Sequence, residues 1–273
     1  MGRPWSSVGA VMVIDAVMFS TELDILELRT NELYDVVDKF LIVEGLETFS
    51  GKPRISTLVQ LESSKFKHVI IPTLEPKYTD IQSGWEREKF LRSQLYVEAL
   101  KVSSSPDDVL IVSDVDEIPR PEVIKNTISL LTKGMHRFSL DFFYYNVNCY
   151  LGISPLGPTI GTMAQYEKEG GSHEARTWGK IHNVVENAGW HFSYFGGLDR
   201  IRTKVEGFSH SQDDFCKAFL ARSDEEAMKD IQAGQDLFRR AELNKFDHRD
   251  ENDPKLPKTF LNNKERYKHF IAK

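Results

Sequence analysis

Residues Asp107 to Ile124 read DDVLIVSDVDEIPRPEVI. The run from Val109 to Val112 is apolar, the composition of a buried strand. It ends in Ser113, Asp114, Val115, Asp116 and Glu117, and Pro119 and Pro121 follow. Each ionised carboxylate resists leaving water, so three at the end of a buried strand need a partner. Protein cations, helix N–H groups and a bound metal are the three kinds of partner available. Residues two apart in a strand point the same way, so Asp114 and Asp116 share a face as long as the strand persists. Ligands of open α/β sheets collect beyond the carboxyl ends of the strands. Two carboxylates there suit Mg²⁺ or Mn²⁺, which prefer hard oxygen ligands. The competing reading is capping: Asp116 or Glu117 serves the N-terminus of a helix beginning near Pro121, where negative charge is favoured.

Outward from this stretch, short apolar strands alternate with helices. Val8 to Val17 reads as a first strand. Residues 20–33, STELDILELRTNEL, read as a helix with Ser20 or Thr21 as its cap and Glu22 and Asp24 in its first turn. A second strand, DKFLIVEGL, ends near Glu44, and a third is HVIIPTL at 68–74. Helices are expected over 83–100 and 120–133, on either side of the acidic strand. The aromatic run MHRFSLDFFYYNVNCY, 135–150, is strand-like. Residues 151–161, LGISPLGPTIG, read as a loop rich in glycine and proline. GWHFSYFGGL at 189–198 is an aromatic stretch, two or three helices span roughly 211–243, and a polar tail from 247 is expected to wrap the surface. The alternation predicts an α/β fold with a largely parallel sheet in the first half. No repeat, low-complexity tract or long linker divides the chain, which is read as a single domain, 1–273.

Composition bounds the function. The 273 residues are 40% hydrophobic and 28% charged, ordinary for a globular protein, and the net charge of −6 argues against general nucleic-acid binding. The two cysteines, Cys149 and Cys216, define neither a disulfide framework nor a zinc site. No run approaches the roughly 18 apolar residues of a membrane span. The segment MGRPWSSVGAVMVIDAV reads as a strand rather than a signal peptide, and there is no Asn-x-Ser/Thr sequon. The expectation is a soluble chain with no mark for secretion.

Asp-x-Asp after an apolar strand resembles the haloacid dehalogenase phosphatases, whose first Asp is a nucleophile. That pattern wants Thr or Val two residues after the second Asp, where this chain has Ile118. It also ends the first strand of its domain, whereas here it ends the fourth. A longer resemblance runs through FSTELDILELRTNELYDVVDKFLIVEGLETFSGKPR, DVLIVSDVDEIPRPEVI, GWHFSYFGG, GFSHSQ and LPKTFLNNKERY. These blocks resemble glycosyltransferase family 17 from about Val11 to the tail, with the poorest match between Tyr150 and Lys180. The resemblance implies a GT-A type fold: a Rossmann-like mixed sheet with helices on both faces and a C-terminal acceptor-side region. The halves would be a nucleotide-sugar half at about 8–133 and an acceptor half at about 134–245, with 246–273 as the wrapping tail. It further implies inversion at the anomeric carbon, a UDP-sugar donor with GlcNAc as the first candidate, Mn²⁺ or Mg²⁺, a glycan acceptor, and work in the Golgi lumen if a leader was removed. A lectin-like domain without turnover is the non-enzymatic alternative.

Under this resemblance Asp116 is the first metal ligand and Asp114 holds the ribose or a metal-bound water. Glu117 lies behind them or is a solvated charge at a helix start. His210, in GFSHSQDDF, is brought back to the metal, where imidazole favours Mn²⁺ over Mg²⁺; the alternative is a helix-start histidine packing against its aromatic neighbour Phe208, the reading that the residues favour without the resemblance. Ser211 and Asp214 fit a capping box there. The strand end from Asp15 to Phe19 offers backbone groups to uracil, and Glu44 accepts from base or ribose. Arg87 and Arg92 are candidates to neutralise phosphate, although Glu86 and Glu88 flank Arg87. Trp190 offers a face for a sugar ring, with core packing as its alternative. Inverting transfer needs a base for the acceptor proton. His191 is the first candidate, with a hydrogen-bonded structural histidine as its alternative, and Asp199 and Glu174 are the next. Tyr144, Tyr145 and Asn146 are candidates for the acceptor cleft, with ordinary strand packing as their alternative.

Overall fold

The computed structural model describes residues 11–58, 63–73, 82–177, 180, 183–240 and 246–272. In chain order its first elements are β1 (Val13–Phe19), α1 (Leu23–Leu33), β2 (Lys39–Gly45), β3 (Phe66–Ile71), α2 (Gln82–Val102), β4 (Val109–Asp114), β5 (Glu117–Pro119) and α3 (Pro121–Ile128). There follow β6 (His136–Phe138), β7 (Leu140–Tyr144), β8 (Cys149–Ser154), β9 (Thr159–Thr162), α4 (Met163–Glu169), α5 (Ser172–Arg176), β10 (Asn183–Val185) and β11 (Gly189–Ser193). The last are α6 (Leu198–Gly207), α7 (Asp214–Leu220), α8 (Asp224–Gln232), β12 (Asp247–His248) and α9 (Lys258–Asn262).

The expected α/β architecture is present. A seven-stranded sheet runs β10-β6-β9-β4-β1-β2-β3, with β4, β1, β2 and β3 parallel. Since β2 lies on one side of β1 and β4 on the other, the strand order reverses at β1, the place where such sheets hold ligands. Helices cover both faces. Ile25, Leu26, Leu28 and Leu33 of α1 join Val17, Phe40, Ile42 and Ile111 in one core, while Leu91, Leu95 and Ala99 of α2 cover Ile14, Leu41, Val43 and Leu110 on the other. A second sheet, β12-β8-β7-β11-β5, leaves the first at the acidic turn, because β5 follows β4 after two residues and pairs with β11. Beneath α6, α7 and α8 a third core holds Tyr144, Tyr145, Tyr194, Phe219 and Phe238. No helix of the described residues is long and apolar enough to cross a membrane.

Several expectations need correction. The glycine- and proline-rich segment expected to be a loop contains β9, which sits antiparallel between β4 and β6 in the main sheet. The aromatic run divides into β6, β7 and the start of β8. Helix α6 had no sequence expectation. The N-cap of α1 is Glu22, not Ser20 or Thr21, and that of α7 is Asp213, so Ser211 and Asp214 form no capping box. Ser211 is buried instead, its N–H donating to the Phe208 carbonyl. The tail is structural: Leu256, Phe260, Tyr267 and Phe270 are buried in the core that α1 covers. The Val8 end of the first strand lies outside the described residues.

Candidate functional site

Arg29 sets the backbone that carries the three carboxylates. Fully buried on α1, it chelates Asp15 of β1 at 2.7 and 2.6 Å. The rest of its guanidinium donates to the acidic turn: to the Glu117 carbonyl at 2.6 Å, the Asp114 carbonyl at 3.3 Å and Ser113 Oγ at 2.6 Å. One planar group with five donors thus fixes the path of the chain out of β4. Strand geometry ends at Asp114, and Val115 and Asp116 form a turn, so the two aspartates are aimed by this turn rather than by strand alternation.

Each carboxylate has its own cation. Asp114 accepts from Arg92 at 2.8 Å and lies 3.8 Å from Arg176. Burial alone would raise its pKa, but the two guanidinium charges outweigh burial and hold it well below the usual carboxylate range. Glu117 is not a solvated helix-start charge. It is buried, takes a bidentate pair from Arg176 at 2.7 and 3.0 Å, and accepts the Asp114 N–H at 3.0 Å. Asp116 pairs with Lys204 of α6 at 2.8 Å, and its other oxygen is 3.8 Å from His191 Nε2. Glu22 reaches the same ammonium at 3.3 Å. Burial works against the Lys204 charge, but Asp116 and Glu22 outweigh it and raise its pKa.

Among these groups Glu22, Arg92, Asp114, Asp116, His191 and Lys204 line a cavity of about 450 Å³ beyond the carboxyl ends of β1 and β4. Of the residues expected at the site, Phe19, Arg92, Asp114, Asp116, His191 and His210 line it together. His191 stacks on Phe142 at 4.4 Å between ring centroids, and its Nδ1 is buried without a hydrogen bond in the described structure. His210 is sandwiched between Trp85, at 5.3 Å, and Phe208, at 4.9 Å. Tyr145 and Tyr194, which follow β7 and β11, have φ of 66° and 61°. Such left-handed non-glycine backbone stores strain and collects near functional sites.

Other expected residues stand elsewhere. The Asp15 carboxylate belongs to Arg29. Glu44 is buried and bound to Arg54, Ser56 and His68. Arg87 donates to the Phe49 carbonyl and braces the loop at Gly51. Trp190 lies on the reverse face of the second sheet, 3% exposed; its Nε1 donates to the Lys255 carbonyl and Arg120 stacks on its ring. It packs the core and offers no open face. Asp199 is exposed in the first turn of α6, and Glu174 sits on α5 beside Gly170, so neither lines the cavity. Tyr144 and Tyr145 are buried, tied to Arg240 and to Gln235. Among the described residues no three histidine, cysteine or acidic groups are placed to hold a metal, so Asp114, Asp116 and His210 form no preformed cage. Sequence reading missed Arg29, Arg176, Lys204 and Glu22. Arg29 alone left a sign, as a charge among Ile25, Leu26, Leu28 and Leu33.

Comparison with known proteins agrees with the resemblance of the motifs. Over 115 residues the chain is 33% identical to the beta-1,4-mannosyl-glycoprotein 4-beta-N-acetylglucosaminyltransferases of Rattus norvegicus and Homo sapiens. The match covers 39% of this chain but only 21% and 22% of theirs, about a fifth of each. Solved structures are more distant. A 4-diphosphocytidyl-2C-methyl-D-erythritol synthase from Anaerococcus prevotii superposes with a TM-score of 0.37 at 10% identity, over 74% of this chain and 97% of that one. A glucosyl-3-phosphoglycerate synthase from Mycobacterium tuberculosis gives 0.34 at 12% identity, over 74% and 81%. The model of glycosyltransferase family 17 matches residues 4–272, and it supersedes the phosphatase alternative. On that match, which spans nearly the whole sequence, the chain belongs to glycosyltransferase family 17.

Proposed function

We propose that the protein is a metal-dependent, inverting glycosyltransferase that moves a sugar from a UDP-sugar to a hydroxyl of a glycan. GlcNAc is the sugar we favour, from the names of the curated relatives. The observation that carries the reading is Asp116: a buried carboxylate at the switch point of the sheet, 3.8 Å from an imidazole, facing a cavity of nucleotide-sugar size. In this reading the acceptor hydroxyl enters beside His191, whose ring is held flat by Phe142. His191 takes the hydroxyl proton as the oxygen attacks the anomeric carbon from the face opposite the diphosphate.

The donor set suits a hard divalent cation. Asp116 Oδ1 takes no hydrogen bond among the described residues, and the Asp114 side chain is 37% exposed toward the cavity. Such ions commonly use one or two carboxylates and take their remaining ligands from substrate phosphates, which fits the lack of a preformed cage. Asp116 and Asp114 would hold the ion, with His210 as a further candidate. When bound, Mn²⁺ or Mg²⁺ neutralises the departing diphosphate.

The test is a panel of nucleotide sugars assayed with Mn²⁺, using the parent, Asp116→Asn and His191→Ala. Asp116→Asn should lose turnover and Mn²⁺-dependent UDP binding. His191→Ala should keep UDP binding and lose about 10²–10⁴-fold in kcat. Full turnover in the first variant removes the metal from Asp116; near-normal kcat in the second removes the base role from His191. Glycan binding with no turnover of any donor would favour a lectin.

A further inference from the structure

Lys204 is on α6, where Leu198, Ile201 and Val205 anchor the helix in the third core. Its stem passes Tyr194, with Nζ 5.9 Å from the ring centroid, and its side chain remains 23% exposed at the cavity. The ammonium stands between Asp116 at 2.8 Å and Glu22 at 3.3 Å. The neighbouring cations are committed elsewhere: Arg29 to Asp15, Arg176 to Glu117, and Arg92 to Asp114 and Glu88. Arg54, also at the cavity, is held by Glu44 and by the Phe19 and Gly45 carbonyls. The Lys204 ammonium is therefore shared between two buried carboxylates, Asp116 and Glu22, with the Arg54 guanidinium adding a longer-range charge at Glu22.

We propose that Lys204 is an internal counterion that occupies Asp116 until a divalent cation arrives and then turns to the diphosphate of the donor. The proposal rests on the metal-dependent reading above. A divalent ion on Asp116 competes with the ammonium for the same carboxylate, since like charges repel across a few ångströms. A displaced ammonium keeps only Glu22, while a diphosphate brings new negative charge into the same cavity. Lysine suits such an exchange because its charge is compact and its stem flexible, whereas the arginines nearby are fixed in forks.

The experiment measures Mn²⁺ uptake directly by electron paramagnetic resonance of the free ion, without any sugar. Parent, Lys204→Met and Lys204→Arg are titrated with Mn²⁺ alone, and UDP binding is then measured at saturating Mn²⁺. Lys204→Met should bind Mn²⁺ at least roughly tenfold more tightly than the parent, because the competing charge is gone. It should bind UDP roughly tenfold more weakly, because the phosphate partner is gone as well. Lys204→Arg keeps the charge and should bind Mn²⁺ like the parent. A damaged fold weakens both ligands, so the opposite signs separate the proposal from a structural role. Unchanged or weaker Mn²⁺ binding in Lys204→Met overturns it, and so does unchanged UDP binding. If the parent takes up Mn²⁺ with UDP while Lys204→Met shows no tightening, the role of Lys204 alone fails. If no form takes up Mn²⁺ even with UDP, the metal-dependent reading fails with it.

Discussion

Arg29 and Asp15 are both fully buried, so each is tolerable only while the other is present. Arg29→Met leaves Asp15 uncompensated and should destabilise the protein by about 3–5 kcal/mol in urea denaturation. Adding Asp15→Leu should recover much of that loss, since an apolar pair needs no counterion. UDP binding should stay impaired in the double variant, because Arg29 also holds the carbonyls of Asp114 and Glu117. Full recovery of UDP binding would mean that the acidic turn keeps its path without Arg29. Asp108 does comparable work at the other end of β4. It accepts the N–H groups of Met12, Ser104 and Ser105 and the Ser103 hydroxyl at 2.8–3.0 Å. Burial would raise its pKa, but these donors outweigh burial and lower it. A carboxyl lowered on folding stabilises above its unfolded value, about 3.9, and that contribution fades as pH falls through the lower folded value. Asp108→Asn should therefore be less stable than the parent at pH 7, with the gap narrowing below about pH 4. A gap that is constant from pH 7 to 3 would show that the ionised form is not what the four donors select. At this scale the aspartates were legible because they interrupt an apolar strand. Arg176 and Lys204 were not, because their acidic partners lie 59 and 88 positions away along the chain.

Two elements meet at the cavity through a glycine. A Cβ on Gly84 of α2 would lie 2.2 Å from the Ser209 carbonyl oxygen and 2.8 Å from the Ser209 carbonyl carbon and Cα. The obstacle is backbone, so the segment carrying Phe208, Ser209 and His210, all of which line the cavity, has to move. Gly84→Ala gains about 1 kcal/mol of helix propensity and costs about 1–3 kcal/mol of overpacking. The melting temperature should change only modestly, while KM for the donor rises at least about tenfold, since misplacement by an ångström is costly at a reacting site. A KM equal to the parent's would show that this segment yields without disturbing the site. Element by element, β1, β2, β4, α1 and α2 were readable because each carries a long apolar run or a helical face. β9 was hidden because only Ile160 among its four residues is strongly apolar, and Pro155, Gly157 and Pro158 just before it read as turn. Its place in the sheet is fixed by β4 and β6, which are distant in sequence. Helix α6 was hidden in another way: Asp199, Arg200, Arg202, Thr203 and Lys204 outnumber its buried Leu198, Ile201 and Val205.

Across the whole molecule, the reverse side of the two sheets is closed by the C-terminal tail. Trp190 is tied to Lys255, Glu32 of α1 accepts the N–H groups of Lys258 and Thr259, and Val147 donates to the Phe270 carbonyl. Phe270 stacks on Tyr267 at 5.7 Å and meets Phe195 edge-on at 5.2 Å, two residues past β11. The tail therefore braces α1, which carries Arg29, and the segment after β11, which carries His191, without lining the cavity itself. Its many charges made it read as a surface wrap, since the apolar residues that matter are spaced widely among lysines and asparagines. The two readings differ sharply in energy. A surface residue changed to alanine moves stability by less than about 0.5 kcal/mol. Phe260 is fully buried, and deleting a buried phenyl ring costs about 3–5 kcal/mol through lost burial and the cavity left behind. Phe260→Ala should lower the urea midpoint accordingly while the folded fraction keeps the parent's KM for the donor, because no cavity-lining group is touched. A loss below about 1 kcal/mol would return the tail to the surface and leave the brace on α1 to the sheet alone.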